Sequence, residues 1–181
     1  VDEEKGEVSD IQFYRANEKP YGCFSNLRCA TFVFDGLVFP TAEHAYQFGK
    51  PRKPEVREWL MAAPSPSLLA MAAHGLYAWD ISPGWSQGRR DRMRRVVESK
   101  FRQCHDYANI LLSTSDSRIV ECATVDNEVN RRWGEVNGKG QNWLGLILME
   151  VRDSLRADPP PRDLVVKLFP GHYQLTEGAI P

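Results

Sequence analysis

Glu43, Gln47 and Lys50 stand four and three residues apart in the stretch Pro40-Thr41-Ala42-Glu43-His44-Ala45-Tyr46-Gln47-Phe48-Gly49-Lys50. At about 100° per residue those positions return to nearly one face of a helix. A carboxylate, an amide and an amine then share one stripe, with His44 and Tyr46 flanking it. A solvated helix scatters such groups, and a buried one replaces them with Leu or Val. One stripe of acid, amide and base is what the wall of a polar pocket needs. The alternative is an exposed Glu–Gln–Lys face held by pairs one turn apart.

Three further groups could do chemistry. Residues 124–140 have no apolar periodicity and carry Asp126, Asn130, Trp133, Gly134, Asn137, Gly138 and Gly140. A long polar loop in a compact domain binds something or is merely a connector. Trp133 needs a surface to pack on, the glycines allow close backbone approach, and Asn142 stands where a helix begins, whose free N–H groups suit an anion. The glycine spacing is no nucleotide-binding fingerprint. Arg89, Arg90, Arg92, Arg94 and Arg95 crowd a short stretch beside Asp91 and Glu98. Such a run is a solvated face or a phosphate-contacting patch. Lys100 lies at the edge of the stripe Met93, Val96, Val97 and Phe101, where it is expected to snorkel to water. A pocket would instead lower its pKa and free the amine as a nucleophile.

The elements that must position these residues read as mainly α with a small N-terminal antiparallel β element. Residues 1–10 are polar and expected to fray. Residues 11–14 read as a strand, 18–22 as a turn, and 30–39 as a hairpin around Asp35-Gly36. Thr41 can cap the helix that follows. Helices are expected over 55–63, 67–74 with Ser67 as cap and Gly75 as stop, 89–105, 107–113 and 142–155. Residues 77–88 read as a loop carrying Trp79 and Trp85, and 118–122 as a short strand. Asp158-Pro159-Pro160-Pro161 ends the last helix, leaving 157–181 as an extension.

Of the 181 residues, 42% are hydrophobic and 26% charged, which is the balance of one soluble globular domain. A net charge of −1 gives no global attraction to nucleic acid, so phosphates would have to meet a local patch. Cys23, Cys29, Cys104 and Cys122 form no CxxC pair. With four histidines they argue against a zinc site and fit reduced, intracellular thiols. No apolar run is long enough for a membrane span. The expectation is an intracellular monomer, cytoplasmic or nuclear, without metal or cofactor.

Several blocks together resemble a known family. They are Phe24-Ser25-Asn26-Leu27, Thr41-Ala42-Glu43-His44-Ala45-Tyr46-Gln47 with Lys50, Lys100-Phe101, Trp133-Gly134, and Gly140-Gln141-Asn142-Trp143-Leu144-Gly145 with Leu148-Met149-Glu150-Val151-Arg152. In this order, across residues 11–156, they are similar to the YbiA-like or NADAR family, named for its link to NAD and ADP-ribose. The resemblance implies a mainly helical fold with a small β element, and an N-glycosidase. Some members act on early riboflavin-pathway intermediates, and others are similar to hydrolases that remove ADP-ribose from guanine in nucleic acid. By position it implies Glu43 as the acid, Lys50 and Lys100 as the lysines, and Trp133 as the loop tryptophan. The family's Asp-x-x-Trp-Gly spacing falls here on Asn130, with Asp126 the nearest aspartate.

The expected site is thus Glu43, Lys50 and Lys100 for catalysis, one lysine able to trap a ring-opened sugar as a Schiff base. Ser25, Asn26, His44, Gln47, Trp85, Asp126, Asn130, Trp133, Gly134 and Asn142 are expected to bind substrate. The expected reaction is removal of ADP-ribose from guanine bases of nucleic acid. The rivals are hydrolysis of riboflavin intermediates and a non-catalytic module that binds ADP-ribose or NAD.

Overall fold

The computed structural model describes residues 9–161, so the expectations for residues 1–8 and 162–181 lie outside it. The order is β1 (Ile11–Phe13), β2 (Cys29–Phe34), β3 (Leu37–Thr41), α1 (Ala42–Phe48), α2 (Pro54–Met61), α3 (Pro66–His74), α4 (Trp85–Gln103), α5 (His105–Ser113), β4 (Ile119–Glu121), α6 (Glu128–Trp133) and α7 (Trp143–Ala157). This is the expected α+β fold, mostly helical. No helix among the described residues is long and apolar enough to cross a membrane.

The hairpin β2–β3 turns through Asp35 (φ 48°) and Gly36 (φ 76°), both left-handed, as a two-residue type I′ turn requires. Its inner face, Phe32, Phe34 and Phe39, packs on Ala42, Ala45 and Val96. Hairpin and α1 are thereby fixed against the long helix α4. Thr41 caps α1 as expected, its Oγ1 accepting from the His44 amide at 3.2 Å. At the other end Arg92 of α4 donates to the carbonyls of Ala45 (2.6 Å) and Tyr46 (3.0 Å). A short helix is marginal alone, and α1 is held here at both ends.

Helices α4 and α7 pack together over the main core, with Phe13, Phe24, Met93, Val97, Phe101, Leu144, Ile147 and Leu148 among its buried side chains. The second sheet pairs β1 with β4 in parallel, Ile11 opposite Ile119 and Phe13 opposite Glu121. Their separation in sequence hides that pairing from any local pattern. Asn142, left-handed at φ 48°, starts α7 and clamps β4. Its Oδ1 accepts from the Glu121 amide at 3.1 Å, and its Nδ2 donates to the Ile119 carbonyl at 2.8 Å.

Some expectations move. Ser65, not Ser67, caps α3, because Pro66 suits the first helical position and Ser65 Oγ accepts from the Leu68 amide. The loop expected over 77–88 contains a 3-10 turn, Ala78–Asp80, and α4 already starts at Trp85. The polar stretch 124–140 contains α6, capped by Asn127, whose side chain accepts from the Asn130 amide at 2.8 Å. An Asx cap can nucleate a turn that hydrophobic periodicity does not reveal.

Candidate active site

A cavity of about 680 Å³ opens between α1, α3, the start of α4, the end of β4, α6 and residues 25–27. Glu43, Tyr46, Gln47 and Lys50 all line it, so the stripe is a pocket wall and not a solvated face. Glu43 is 8% exposed and Gln47 3%. The chain bends out of helix at Gly49, yet Lys50 still turns into the cavity, with Nζ donating to the Ala73 carbonyl at 2.5 Å. The Glu43 amide donates to the Asn26 carbonyl at 3.0 Å, tying the helix start to the loop with Ser25 and Asn26. Both of those residues line the cavity, as do Trp85, Asn130 and Trp133.

A second carboxylate, Glu121 at the end of β4, faces the same space, and the sequence reading missed it. Its carboxyl oxygens have no hydrogen-bond partner among the described residues, unlike Glu43, which accepts from Gln47 Nε2 at 2.8 Å. Burial and the nearby Glu43 charge push the Glu121 carboxyl up to about 7. Burial also raises Glu43, while the Gln47 hydrogen bond and the Lys50 charge oppose that rise. The signal available in sequence was an acid closing the apolar strand Ile119-Val120-Glu121. Which face it took depended on the parallel pairing with β1.

Basic side chains share the cavity. Arg89, Arg132 and His74 join Lys50 on the cavity lining. Arg89 Nε is buried without a partner. The Arg89 and Arg132 guanidinium carbons lie 5.8 and 6.0 Å from the Trp143 ring centre, within cation–π range. Burial and the Arg89 charge lower the Lys50 pKa, with Glu43 opposing. Aromatic rings continue from one wall to the next. Tyr46 lies 5.0 Å from Trp85 and 5.5 Å from Trp133, and Trp133 lies 5.4 Å from Trp143. Such a chain offers flat apolar faces between charged groups.

Other expected site residues lie elsewhere. His44 is buried under the α1 cap, its Nδ1 2.7 Å from Thr41 Oγ1. Asn142 is occupied in clamping β4, and the start of α7 is absent from the cavity lining. Gly134 packs against the Glu121 backbone so closely that any Cβ would collide with the Glu121 carbonyl. Asp126 pairs with Arg131 at 2.6 Å and lines a neighbouring open groove with Glu128 and Gln141, which meets the cavity at Arg132. Lys100 does not snorkel. It is 1% exposed, off the cavity lining, and donates to the carbonyls of Cys23 (2.7 Å) and Ser25 (3.0 Å). Those carbonyls stand where an inward amine satisfies them, so burial wins over solvation.

The arginine run is not a free patch. Arg90 pairs with Glu150 at 2.6 Å, Arg94 with Glu98 at 2.9 Å, and Arg95 with Asp35 at 2.6 Å. Arg92 is used on α1, which leaves Arg89 for the cavity. No group of three or more His, Cys, Asp or Glu residues suited to a metal ion occurs among the described residues.

The family model for the NADAR domain matches residues 12–156. The chain is 32% identical over 146 residues to the N-glycosidase YbiA of Escherichia coli strain K12, covering 80% of this chain and 88% of that protein. It is 31% identical over 150 residues to an N-glycosidase of Nostoc punctiforme, covering 81% and 92%. The NMR structure of E. coli YbiA superposes with a TM-score of 0.71 at 30% identity, covering 83% of this chain and 87% of that one. The cavity with its acidic and aromatic walls thus sits in the same fold as YbiA, and the chain belongs to the NADAR domain family.

Proposed function

We propose that this protein is an N-glycosidase that hydrolyses a ribosyl C–N bond, and that its substrate is ADP-ribose attached to a guanine base of nucleic acid. One observation carries the reaction class: two carboxyl groups with different surroundings open on one cavity. Cleaving a ribosyl C–N bond needs a proton for the departing base and negative charge near the developing oxocarbenium ion. Glu121, its carboxyl pushed up to about 7 by burial and the Glu43 charge, serves as the acid. Glu43 accepts from Gln47 and is faced by Lys50, and both favour its charged form against its burial. As the carboxylate it stabilises the sugar cation and takes the proton of the attacking water.

Lys50 offers a second route at the same carbon. A ring-opened ribose presents an aldehyde at C1, and a neutral amine traps it as an imine that water later releases. Burial and Arg89 favour that neutral amine. On this reading Arg89, whose Nε has no partner, and Arg132, which also pairs with Glu128, meet phosphate oxygens, and Trp85 and Trp133 take the flat face of a base.

A second reading, hydrolysis of an early riboflavin intermediate, is favoured by the internal pairing of Arg90, Arg94 and Arg95. That pairing removes the surface charge a long nucleic acid would use. A riboflavin biosynthesis protein of Vibrio vulnificus is 30% identical over 151 residues, which are 40% of its length. Purified protein should be assayed in parallel on an oligonucleotide carrying ADP-ribosyl guanine and on the amino-uracil ribotide. Release of ADP-ribose from the first and no sugar phosphate from the second is expected. The reverse pattern overturns the guanine reading, and turnover of neither overturns both.

A further inference from the structure

Exposed large apolar side chains concentrate in one stretch, with Trp59, Leu68, Met71, Tyr77 and Trp79 each more than 45% exposed. Two of them form a built feature. The Tyr77 and Trp79 rings stack nearly parallel, with centres 4.6 Å apart and planes 12° from coplanar. Yet they remain 64% and 65% exposed. Core aromatics are covered on both faces, whereas this pair leaves large ring area open to solvent, which marks a binding surface.

The pair is fixed to the cavity wall by backbone hydrogen bonds. The Asp80 amide donates to the Tyr77 carbonyl at 2.9 Å and closes the turn that carries both rings. The Arg52 amide donates to the Asp80 carbonyl at 2.7 Å, and the Ser82 amide to the Lys50 carbonyl at 2.9 Å. Lys50 lines the cavity, and so does His74, three residues before Tyr77. Three residues span at most about 10 Å, so the Tyr77 backbone starts within that distance of His74, while neither ring itself lines the cavity.

Charge around the rings fits one class of occupant. Arg52 is exposed and has no ion-pair partner among the described residues. Lys53 pairs with Asp80 at 3.1 Å but keeps a side chain 55% exposed. Cations beside parallel aromatic rings are the elements of a single-strand platform, where bases stack and phosphates meet the cations. Paired bases cannot extend such a stack, and chemistry on a base itself calls for an unpaired or flipped nucleotide.

The geometry points to Tyr77 and Trp79 as a subsite outside the cavity that stacks an unpaired nucleobase of a single strand, next to the modified nucleotide held within. It rests on the nucleic-acid reading proposed above and adds to it a requirement for single-stranded substrate. Arg90, Arg94 and Arg95 of α4 are then not the surface for the strand, and Arg52 and Lys53 take that place.

The test separates binding from turnover. Binding of a labelled, unmodified thymidine oligonucleotide of about 12 nucleotides is measured by anisotropy for the wild type, Tyr77→Ala, Trp79→Ala and Trp79→Phe. Each alanine variant should weaken binding about 5- to 100-fold, and Trp79→Phe should restore most of it. Hydrolysis of the mononucleotide form of ADP-ribosyl guanine should stay within about twofold in all of them. Equal oligonucleotide binding by the wild type and both alanine variants overturns the subsite. So does an equal loss of mononucleotide turnover, which would make the turn a prop for the cavity. If the wild type releases no ADP-ribose from the modified guanine but binds the oligonucleotide through the two rings, the subsite stands and the guanine reaction falls.

Discussion

Gln47 Nε2 donates a 2.8 Å hydrogen bond to Glu43 Oε1 one turn back on α1, while Gln47 Oε1 stays buried with no partner. The first half of that relationship orients the carboxylate. The second leaves an acceptor with neither solvent nor partner, a state buried acceptors seldom keep. Asn26 Oδ1, on the segment hydrogen-bonded to the start of α1, is in the same state.

Glu43→Gln should reduce kcat at least about 100-fold and leave substrate affinity within about tenfold. The amide keeps the shape and can still bond Gln47, but it carries no charge and accepts no proton. Steady-state kinetics paired with a binding assay check this. A variant keeping more than a tenth of the wild-type rate removes Glu43 from the mechanism.

Glu121→Gln should abolish the fall in kcat/KM on the alkaline side of about pH 7, because that limb reports loss of the acid's proton. Stability should change too. Burial raises the folded pKa above the ordinary carboxyl value, so the folded chain binds more protons than the unfolded one between about 4 and 7. Stability therefore falls as pH rises through that window, and the deficit persists above it. Because the cavity admits water, the gain from Glu121→Gln at pH 8 should be only about 1–2 kcal/mol, vanishing near pH 4. Urea unfolding at the two pH values reads it out, and equal stability at both would contradict the burial argument.

Borohydride reduction during incubation with ADP-ribose should add the ligand's mass to the protein, with the adduct mapped to Lys50. Lys50 shares the cavity with Glu43, while Lys100 has its amine turned away onto two carbonyls. Lys50→Met should remove the adduct. Labelling at Lys100 would mean that the loop around Ser25 opens, and no labelling at all would leave direct hydrolysis through Glu43.

Lys100→Met should destabilise the fold by about 2–4 kcal/mol at neutral pH, since two buried carbonyls lose their donor. Burial lowers the Lys100 pKa to about 8, so between about 8 and 10 the unfolded chain binds more protons than the folded one. The lysine's contribution thus grows as pH rises through that window. Unfolding free energies of the wild type and variant should diverge further at about pH 10 than at about pH 8. A constant gap would point to an ammonium fully compensated by its carbonyls.

Binding of an oligonucleotide substrate should weaken as salt rises from about 0.05 to about 0.2 M, through released counterions. With Arg90, Arg94 and Arg95 paired internally, the dependence should be shallow, equivalent to about two or three phosphate contacts. An affinity independent of salt would favour the small-metabolite substrate.

Short-range chemistry was legible in the residues themselves. The Glu43–Gln47 pair follows from helical period, the hairpin from Asp35-Gly36, and the helix start from Thr41, each set within a few residues of chain, whereas Lys50 joins them from beyond the helix end. The resemblance likewise located the family because its blocks are local. Tertiary structure decided the rest, through partners far apart in sequence. Glu121 became a site residue only because β4 pairs with β1 more than 100 residues earlier. Lys100 turned inward because carbonyls 77 and 75 residues away receive it, and the arginine run divided itself between distant acids, α1 and the cavity. Periodicity states which face of an element a side chain takes; what waits on that face is set by packing, and packing determines whether a charged group meets water, a partner or a substrate.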